Sequence, residues 1–219
     1  MRHIERINLC IEFENYKNRR GISLQKWGNF KNKAVKLKLH QHLWAEQKGL
    51  CVYCQQQIPQ KVQIDSQGNI HPSHIEHIRP KSAFSQLTFA HQNLSISCEG
   101  YDIQHVPTPL SKAFCGHPKD NEYEETLFLH PVEMADIESY FSYDIQGKIE
   151  SNGKNDNKAK YMIQILYLNN TILEDMRSEQ YSLIIEEVMN NNLDIVEYLA
   201  VNNTQFPPFY SMLKQLFFI

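Results

Sequence analysis

Residues 50–58 read LCVYCQQQI, and the pair Cys51 and Cys54 in this stretch decides how the surrounding chain can fold. A C-x-x-C pair that follows a helix can direct two thiolates at one tetrahedral zinc ion. The same spacing serves thiol redox chemistry, which is typical of a βαβ context that is missing from this sequence. Cys98 and Cys115 lie downstream and complete a set of four, with sixteen residues between them. Zinc binding is favoured, and four unrelated free thiols are the alternative.

The region around these cysteines, residues 50–121, is poor in continuous apolar sequence and rich in His, Cys, Pro and Gln. Such a segment cannot build a large core unaided, so a bound metal is expected to hold it together. Two short strands are predicted on either side of a turn at 66–69, and the second continues to residue 78. The fifth cysteine, Cys10, is predicted to fill the core.

Charge divides the chain unevenly. Residues 1–50 carry 11 Lys and Arg against 4 Asp and Glu, residues 51–119 carry 5 against 4, and residues 120–219 carry 6 against 17. The formal net charge of -3 therefore hides a basic N-terminal part and an acidic C-terminal part. This polarity suggests that one end meets an anion, although two solvated faces are the alternative.

Periodicity predicts most of the helices. A helix from Leu24 to Gly49 has one apolar and one strongly basic face, and Gly49 ends it. A hairpin with Gly147 in its turn is predicted over 140–149. Further helices are predicted at about 158–176, 179–190 and 195–201. The apolar tail 209–219 follows Pro207 and Pro208 and is predicted to be a packed terminal helix, with a partner contact as the alternative.

These shifts divide the chain into a basic helical segment (1–49), a core rich in cysteine and histidine (50–121) and an acidic, mainly helical region with a hairpin (122–219). Together they indicate an α+β protein. The opening residues MRHIERINLCIEF carry charges where a secretory signal needs an apolar stretch, and no run approaches the roughly 18 apolar residues of a membrane span. We therefore expect a cytoplasmic protein with reduced cysteines and no membrane partner.

A second motif, HIEHIRPKS at residues 74–82, carries titratable groups. Side chains alternate between the faces of a strand, so Glu76 and His77 at a strand end can straddle a cleft, one reaching a metal and the other a water. A neutral imidazole can accept a proton near pH 7. Arg79 and Lys81 favour a nearby phosphate. An exposed, hydrogen-bonded His-Glu couple is the alternative for the pair taken alone.

Two shorter motifs follow. Asn93-Leu precedes Cys98, and CGHPKDN occupies residues 115–121. An asparagine can brace a loop through its backbone or give an oxygen to a hard cation, although an isolated Asn-Leu pair is often a helix start. The second motif combines a thiolate, an imidazole, a lysine and a carboxylate within seven residues.

The order of these pieces resembles that of HNH (ββα-metal) endonucleases with a zinc knuckle. More specifically, AEQKGLCVYCQQQI, HIEHIRPKS, NLSISC and CGHPKDN resemble the nuclease subunit of the Septu antiphage system, a family that also occurs with some retrons. With MRHIER and YLNNTILEDMR the resemblance covers about residues 1–180. It implies a zinc-stabilised ββα-metal finger embedded in a mainly helical protein, with structural zinc on the four cysteines.

The resemblance also implies roles for single residues. His77 matches the general base that activates water, and Glu76 matches the acidic ligand of the catalytic metal, where Asp is more usual. Asn93 matches the asparagine that orients the loop carrying the base. Lys119 matches a common lysine and joins Arg79 and Lys81 as a predicted phosphate contact.

The third position of the motif departs from the family pattern. Gly116 stands where a His or Asn commonly follows the last zinc cysteine. His117 is the preferred substitute as ligand of the catalytic metal. Asp120 and Asn121 are the alternatives.

The activity implied is metal-dependent hydrolysis of phosphodiester bonds, with Mg²⁺ or Mn²⁺ as the catalytic ion. Nucleic acid is the expected partner, with DNA preferred to RNA, and the basic helix would neutralise phosphates. The alternatives are an RNA- or tRNA-cleaving nuclease and a non-catalytic zinc module. Proteins of this family act with an ABC/SMC-like ATPase subunit, for which the acidic C-terminal half would be a docking surface.

Overall fold

The computed structural model describes residues 1–20, 26–60, 63–64, 70–100, 113–153, 155–200 and 204–219. Within these ranges the chain is α+β, with helices packed around three small antiparallel sheets. The helices are α1 (Ile11–Arg20), α2 (Lys33–Glu46), α3 (Gly116–Lys119), α4 (Asp156–Ile165), α5 (Thr171–Met189), α6 (Ile195–Tyr198) and α7 (Tyr210–Leu216). The strands are β1 (Gln63–Ile64), β2 (Ile70–His71), β3 (Ser73–His77), β4 (Leu94–Cys98), β5 (Phe141–Tyr143) and β6 (Ile149–Ser151). Among these residues, no helix combines the length and the apolar character needed to cross a bilayer.

The basic helix begins later than predicted. Trp27–Asn29 forms a 3-10 turn, and α2 begins only after Asn32, whose side chain accepts a hydrogen bond from a first-turn N–H at 3.0 Å. This cap satisfies a backbone donor that has no partner within the helix. Apolar residues run through both the turn and the helix, so periodicity alone missed the start. The predicted first residue, Leu24, lies outside the described residues. The helix ends at Glu46, before the predicted stop at Gly49, because Lys48 already takes the left-handed conformation (φ 55°) and Gly49 follows it with a φ of 77°.

The helix boundaries after residue 155 also differ from the prediction. The α5 helix is continuous from Thr171 to Met189, so the break lies at residues 166–170 and not after residue 176. Tyr167 has a φ of 50°, and Asn170 caps α5 by accepting from the N–H of Ile172 at 3.0 Å. Both helices pack against one core, so their apolar pattern continues across the break. The last predicted helix, 195–201, is observed as the single turn α6, and residues 201–203 lie outside the described part.

The predicted hairpin is confirmed. Strands β5 and β6 pair in antiparallel register, and Gly147 turns the chain with a φ of 84°. Arg177 of α5 is buried and donates hydrogen bonds to the carbonyls of Gly147 and Leu168 at 3.0 and 2.8 Å. Arg177 therefore links the turn of the hairpin to α5, and Ser178 adds a bond to the carbonyl of Ile145 at 3.2 Å.

One buried apolar core includes residues from all three predicted regions. The amino group of Met1 donates to the Tyr143 hydroxyl at 2.7 Å, which places the N-terminus against the hairpin. At the other end of the chain, Gln55 and Ser211 exchange two hydrogen bonds of 2.8 Å, so α7 packs on the loop after α2. The apolar tail is thus a packed helix in this structure.

Four buried cysteines join three segments of the chain. Cys51 and Cys54 lie in the loop after α2, Cys98 ends β4, and Cys115 precedes α3. The sulfur–sulfur distances are 3.8 Å for Cys51–Cys115 and 3.7 Å for Cys54–Cys98, and all four sulfurs lie within 4.8 Å of one another. A tetrahedral zinc ion with bonds of about 2.3 Å separates its sulfurs by about 3.8 Å. The cluster could therefore bind zinc.

Strands β3 and β4 and helix α3 follow one another in the order of the predicted finger. The strands pair from Ser73–Cys98 to His77–Leu94. Gln47 ties this sheet to α2, because its side chain accepts from the N–H of Ile96 at 2.7 Å and donates to the Ile96 carbonyl at 2.9 Å. Since α3 is a single turn of four residues, the ββα finger stays a prediction.

Replacing Gly147 should destabilise the hairpin. A Cβ atom at this position would collide with the carbonyl oxygen of Glu174 and lie 2.9 Å from the Cβ of Arg177. Gly153 is the matched control, because it also has a positive φ but no heavy atom within 4 Å of an added Cβ. We expect Gly153→Ala to cost about 1 kcal/mol and Gly147→Ala about 2 to 4 kcal/mol in urea denaturation. Equal losses would contradict the proposed close contact.

Loss of one clustered cysteine should remove zinc and the fold with it. We expect the wild-type protein to contain about one zinc ion per chain, and Cys115→Ser to lose it and unfold at a lower temperature. Cys10→Ser is the control, since Cys10 is buried outside the cluster. Elemental analysis of the purified proteins measures the zinc, and equal zinc in all three would contradict the site.

Candidate active site

Strand β3 sends its functional side chains to two faces of the sheet. His74 and Glu76 share one face, where they meet residues of β4 and α3. His77, the last residue of the strand, points to the other face and contacts Trp27 and Thr88. These neighbouring residues therefore lie on opposite faces of the sheet, and the roles predicted for them, metal ligand and base, stay predictions.

Glu76 is buried and held by two partners. Its Oε1 accepts a hydrogen bond from the Tyr53 hydroxyl at 2.9 Å and lies 3.1 Å from the ammonium group of Lys119. Burial raises the pKa of Glu76, but the positive charge of Lys119 and the hydrogen bond from His74 lower it to about 2. The carboxylate is therefore ionised, with its other oxygen directed toward His74.

The placement of Lys119 differs from its predicted role. Its side chain is fully buried, and its ammonium group contacts Glu76 and, at 3.4 Å, the carbonyl of His77. A buried ammonium group needs such partners to offset its desolvation. In this structure Lys119 therefore anchors Glu76, and its side chain is closed off from the solvent from which a phosphate would approach.

A second cluster lies beside Glu76 and contains His74, Glu99 and His117. His74 Nδ1 is 3.1 Å from Glu99 Oε1, and His117 Nε2 is 2.7 Å from Glu99 Oε2. The two imidazole rings are 5.1 Å apart. One donor atom from each residue lies within 4.8 Å of the others, so the three could hold a metal ion.

Opposite charges set the protonation of this cluster. Burial lowers the pKa of His74, but hydrogen bonds and charge from Glu76 and Glu99 raise it to about 10. Burial raises the pKa of Glu99, while hydrogen bonds from His117 and His74 lower it to about 2. A protonated His74 therefore links two carboxylates.

Sequence reasoning gave no role to His74 or Glu99. His74 had a usable signal, because the i, i+2 spacing to Glu76 puts both residues on one face of a strand. Glu99 had none beyond its position after Cys98, and only the pairing of β3 with β4 brings it to the cluster. The predicted pair Glu76 and His117 is brought to the same neighbourhood, with His74 and Glu99 between them.

His77 is almost fully buried, with 5% of its surface exposed. Its Nε2 lies 3.0 Å from the carbonyl oxygen of Thr88, and its ring is perpendicular to that of Trp27 with the two ring centres 4.5 Å apart. Burial and the positive charge of Lys81 lower the pKa of His77 to about 4. The ring is therefore neutral at pH 7.

Asn93 joins the two ends of the loop that follows β3. Its Oδ1 accepts from the N–H of Arg79 at 2.7 Å, and its Nδ2 donates to the carbonyls of Arg79 and Leu87 at 3.0 and 3.3 Å. These three bonds give both the oxygen and the nitrogen of this buried amide a hydrogen-bond partner. They keep the residues after His77 in a fixed position.

A groove of about 760 Å³ lies next to His77. Its lining includes Trp27, Lys81 and Thr88, which all contact the imidazole, and the exposed residue Lys26. Arg79 does not line this groove, because its guanidinium group makes two bonds to Glu133 of 2.5 and 2.8 Å. Of the three predicted phosphate contacts, Lys81 alone therefore has its side chain on the groove.

No family model matches the chain. A Vibrio cholerae (serotype O1 biovar El Tor) protein named "Retron Vc95 putative HNH endonuclease" is 30% identical over an alignment of 187 residues, and the match covers 81% of this chain and 81% of that protein. The match supports a nuclease and extends through all three predicted regions. At this identity and coverage, the chain belongs to the same HNH endonuclease family as the retron protein.

Proposed function

We propose that this protein is a metal-dependent HNH endonuclease that hydrolyses phosphodiester bonds in DNA. The observation that carries the proposal is the environment of His77. A neutral imidazole lies beside a lysine-lined groove, at the end of a strand whose other face holds carboxylates and histidines. This arrangement provides a candidate base at the end of β3 and a candidate metal site that includes His74, three residues earlier in the same strand.

The carbonyl of Thr88 sets the tautomer of His77. A carbonyl oxygen only accepts hydrogen bonds, so the Nε2 atom that faces it at 3.0 Å must carry the proton. The lone pair of the neutral ring is then on Nδ1, which points toward Lys81. In the proposed reaction Nδ1 takes a proton from the attacking water, and the Thr88 carbonyl stabilises the imidazolium that forms.

The neighbouring cluster fits a divalent cation. Imidazole nitrogens and carboxylate oxygens are suitable donors, and those of His74, Glu99 and His117 lie within 4.8 Å of one another. When bound, such an ion polarises a phosphate oxygen and stabilises the leaving oxyanion. Mg²⁺ and Mn²⁺ are the ions proposed for this role, and zinc is proposed for the four cysteines.

Lysines on and near the groove would bind the phosphate backbone. Lys26 and Lys81 line the groove, and Lys38 is exposed on the basic helix α2. Their charge supports affinity for nucleic acid without sequence preference, and this affinity should fall with added salt. DNA is the proposed substrate, and RNA is tested beside it below.

The proposed context is a Septu-type antiphage system, in which an ABC/SMC-like ATPase subunit controls the nuclease. The retron name of the similar protein supports a defence-related role. The acidic region supports a protein partner, because 17 Asp and Glu against 6 Lys and Arg in residues 120–219 disfavour a DNA contact there. Leu183, Met189 and Val196 expose 60%, 75% and 64% of their surface in this region and add apolar area for docking.

Removing the imidazole of His77 should abolish cleavage. We expect His77→Ala to reduce the cleavage rate by a factor of about 10² to 10⁴, because the variant lacks the imidazole that accepts the proton of the attacking water. His77→Gln keeps most of the side-chain volume under Trp27 and should show the same loss. Nicking and cleavage of DNA and RNA are measured with Mg²⁺ or Mn²⁺, with the ATPase subunit present and absent, and with EDTA as the metal-free control.

His3→Ala is the matched control, since His3 lies outside the site and binds the Pro131 carbonyl. It should cleave at the wild-type rate. Undiminished cutting by a folded His77 variant with normal zinc content would refute the role of the base. Cleavage of RNA but not of DNA would indicate an RNase. If no divalent ion gives a cleavage product, a non-catalytic zinc module is favoured.

A further inference from the structure

Gly116 explains why the third motif position lacks a ligand of its own. A Cβ atom at this residue would lie 2.8 Å from His74 Nε2 and 3.1 Å from Glu76 Oε2. Both distances are shorter than ordinary contacts, so a side chain at residue 116 and the ring of His74 compete for the same space. The histidine that occupies this space therefore comes from strand β3.

Donor atoms of three residues around this position have the spacing of metal ligands. His74 Nδ1 and His117 Nε2 lie 3.1 and 2.7 Å from the two oxygens of Glu99. Neighbouring ligands of an octahedral ion with bonds of about 2.1 Å are about 3 Å apart. In the described part of the chain, these donor atoms have no hydrogen bond to a backbone carbonyl. A divalent cation can therefore take the place of the protons in the His74–Glu99 and His117–Glu99 hydrogen bonds.

Glu76 is less available as a ligand of the metal ion than the sequence suggested. Tyr53 and Lys119 both occupy Oε1, at 2.9 and 3.1 Å, while Oε2 lies 3.5 Å from His74 Nε2. A carboxylate that faces the second ring nitrogen of a ligating histidine fixes its tautomer and orientation. The position of Glu76 corresponds to that arrangement, with His74 Nδ1 left to bind the ion.

We propose that the divalent ion is bound by His74, Glu99 and His117, with Glu76 as the positioning residue of His74. This inference rests on the proposed metal-dependent nuclease and specifies its metal site. Two imidazoles and one carboxylate suit a first-row transition ion such as Mn²⁺ or Co²⁺ better than Mg²⁺, which prefers oxygen ligands. The site should therefore bind Mn²⁺ more tightly than Mg²⁺.

A second His-Glu-His group provides an internal control. His42, Glu46 and His91 also lie within metal-binding range of one another. The guanidinium group of Arg6 already pairs with Glu46, and His42 Nε2 faces the carbonyl of Asn8 at 2.8 Å, so this nitrogen carries a proton. A cation here would meet both a positive charge and an N–H group, and we expect no binding.

Titration of the zinc-loaded full-length protein with Mn²⁺, followed by EPR of free Mn²⁺, tests the assignment. We expect His74→Ala, Glu99→Gln and His117→Ala each to weaken Mn²⁺ binding by a factor of about 100 or more, and Glu76→Gln by about 10 to 100. His42→Ala should leave it unchanged. Pulsed EPR of the bound ion should detect coordinated imidazole nitrogen, with a weaker signal in His74→Ala. Competition should show Mg²⁺ binding more weakly than Mn²⁺.

Zinc content and circular dichroism identify any variant that does not fold. His117 is partly exposed and lies at the surface of the cluster, so His117→Ala is expected to fold. This variant still tests the site if a substitution of a more buried residue unfolds the protein. Mn²⁺ binding that survives His74→Ala and Glu99→Gln but is lost in Glu76→Gln would overturn the inference. No Mn²⁺ binding to the wild-type protein would overturn it too. The proposed nuclease is judged separately, by whether the wild-type protein cuts DNA.

Discussion

The contact of four buried sulfur atoms within 4.8 Å of one another is the constraint on which the rest of the structure depends. It joins the loop after α2, the end of β4 and the residue before α3, segments that share little apolar sequence. With Cys98 held, the register of β3 on β4 is set. With Cys115 held, Gly116 lies against His74 and Glu76, so the position of the candidate active site follows from the position of the sulfurs.

The short sheet then separates two kinds of chemistry. One face of β3 carries ionised groups that hold one another through charge, with Glu76 between Lys119 and His74. The other face holds His77 in an apolar contact with Trp27, where burial keeps the ring neutral. Adjacent residues of one strand can therefore serve as metal neighbour and base, because their side chains leave the backbone in opposite directions.

The acidic C-terminal region, proposed above as a partner surface, is also part of the site's surroundings. Glu133 takes both hydrogen bonds of the Arg79 guanidinium group and so removes this cation from the groove beside His77. The N-terminus reaches the same region through Met1 and Tyr143. A basic segment and an acidic segment thus share one core, and the net charge of -3 is a poor guide to the binding partner because it sums their opposite charges.

Local patterns in the sequence were sufficient to predict the set of four cysteines, the alternating directions of side chains along β3 and the hairpin at Gly147. Each of these depends on residue type and on local spacing within a motif. Periodicity did not predict that helices begin after Asn32 and Asn170, since the apolar pattern runs through each of these capping residues. The partners of charged groups depended on the tertiary structure alone. Burial decided that Lys119 neutralises Glu76, and strand pairing decided that Glu99 meets His74, because both contacts join residues more than 20 positions apart.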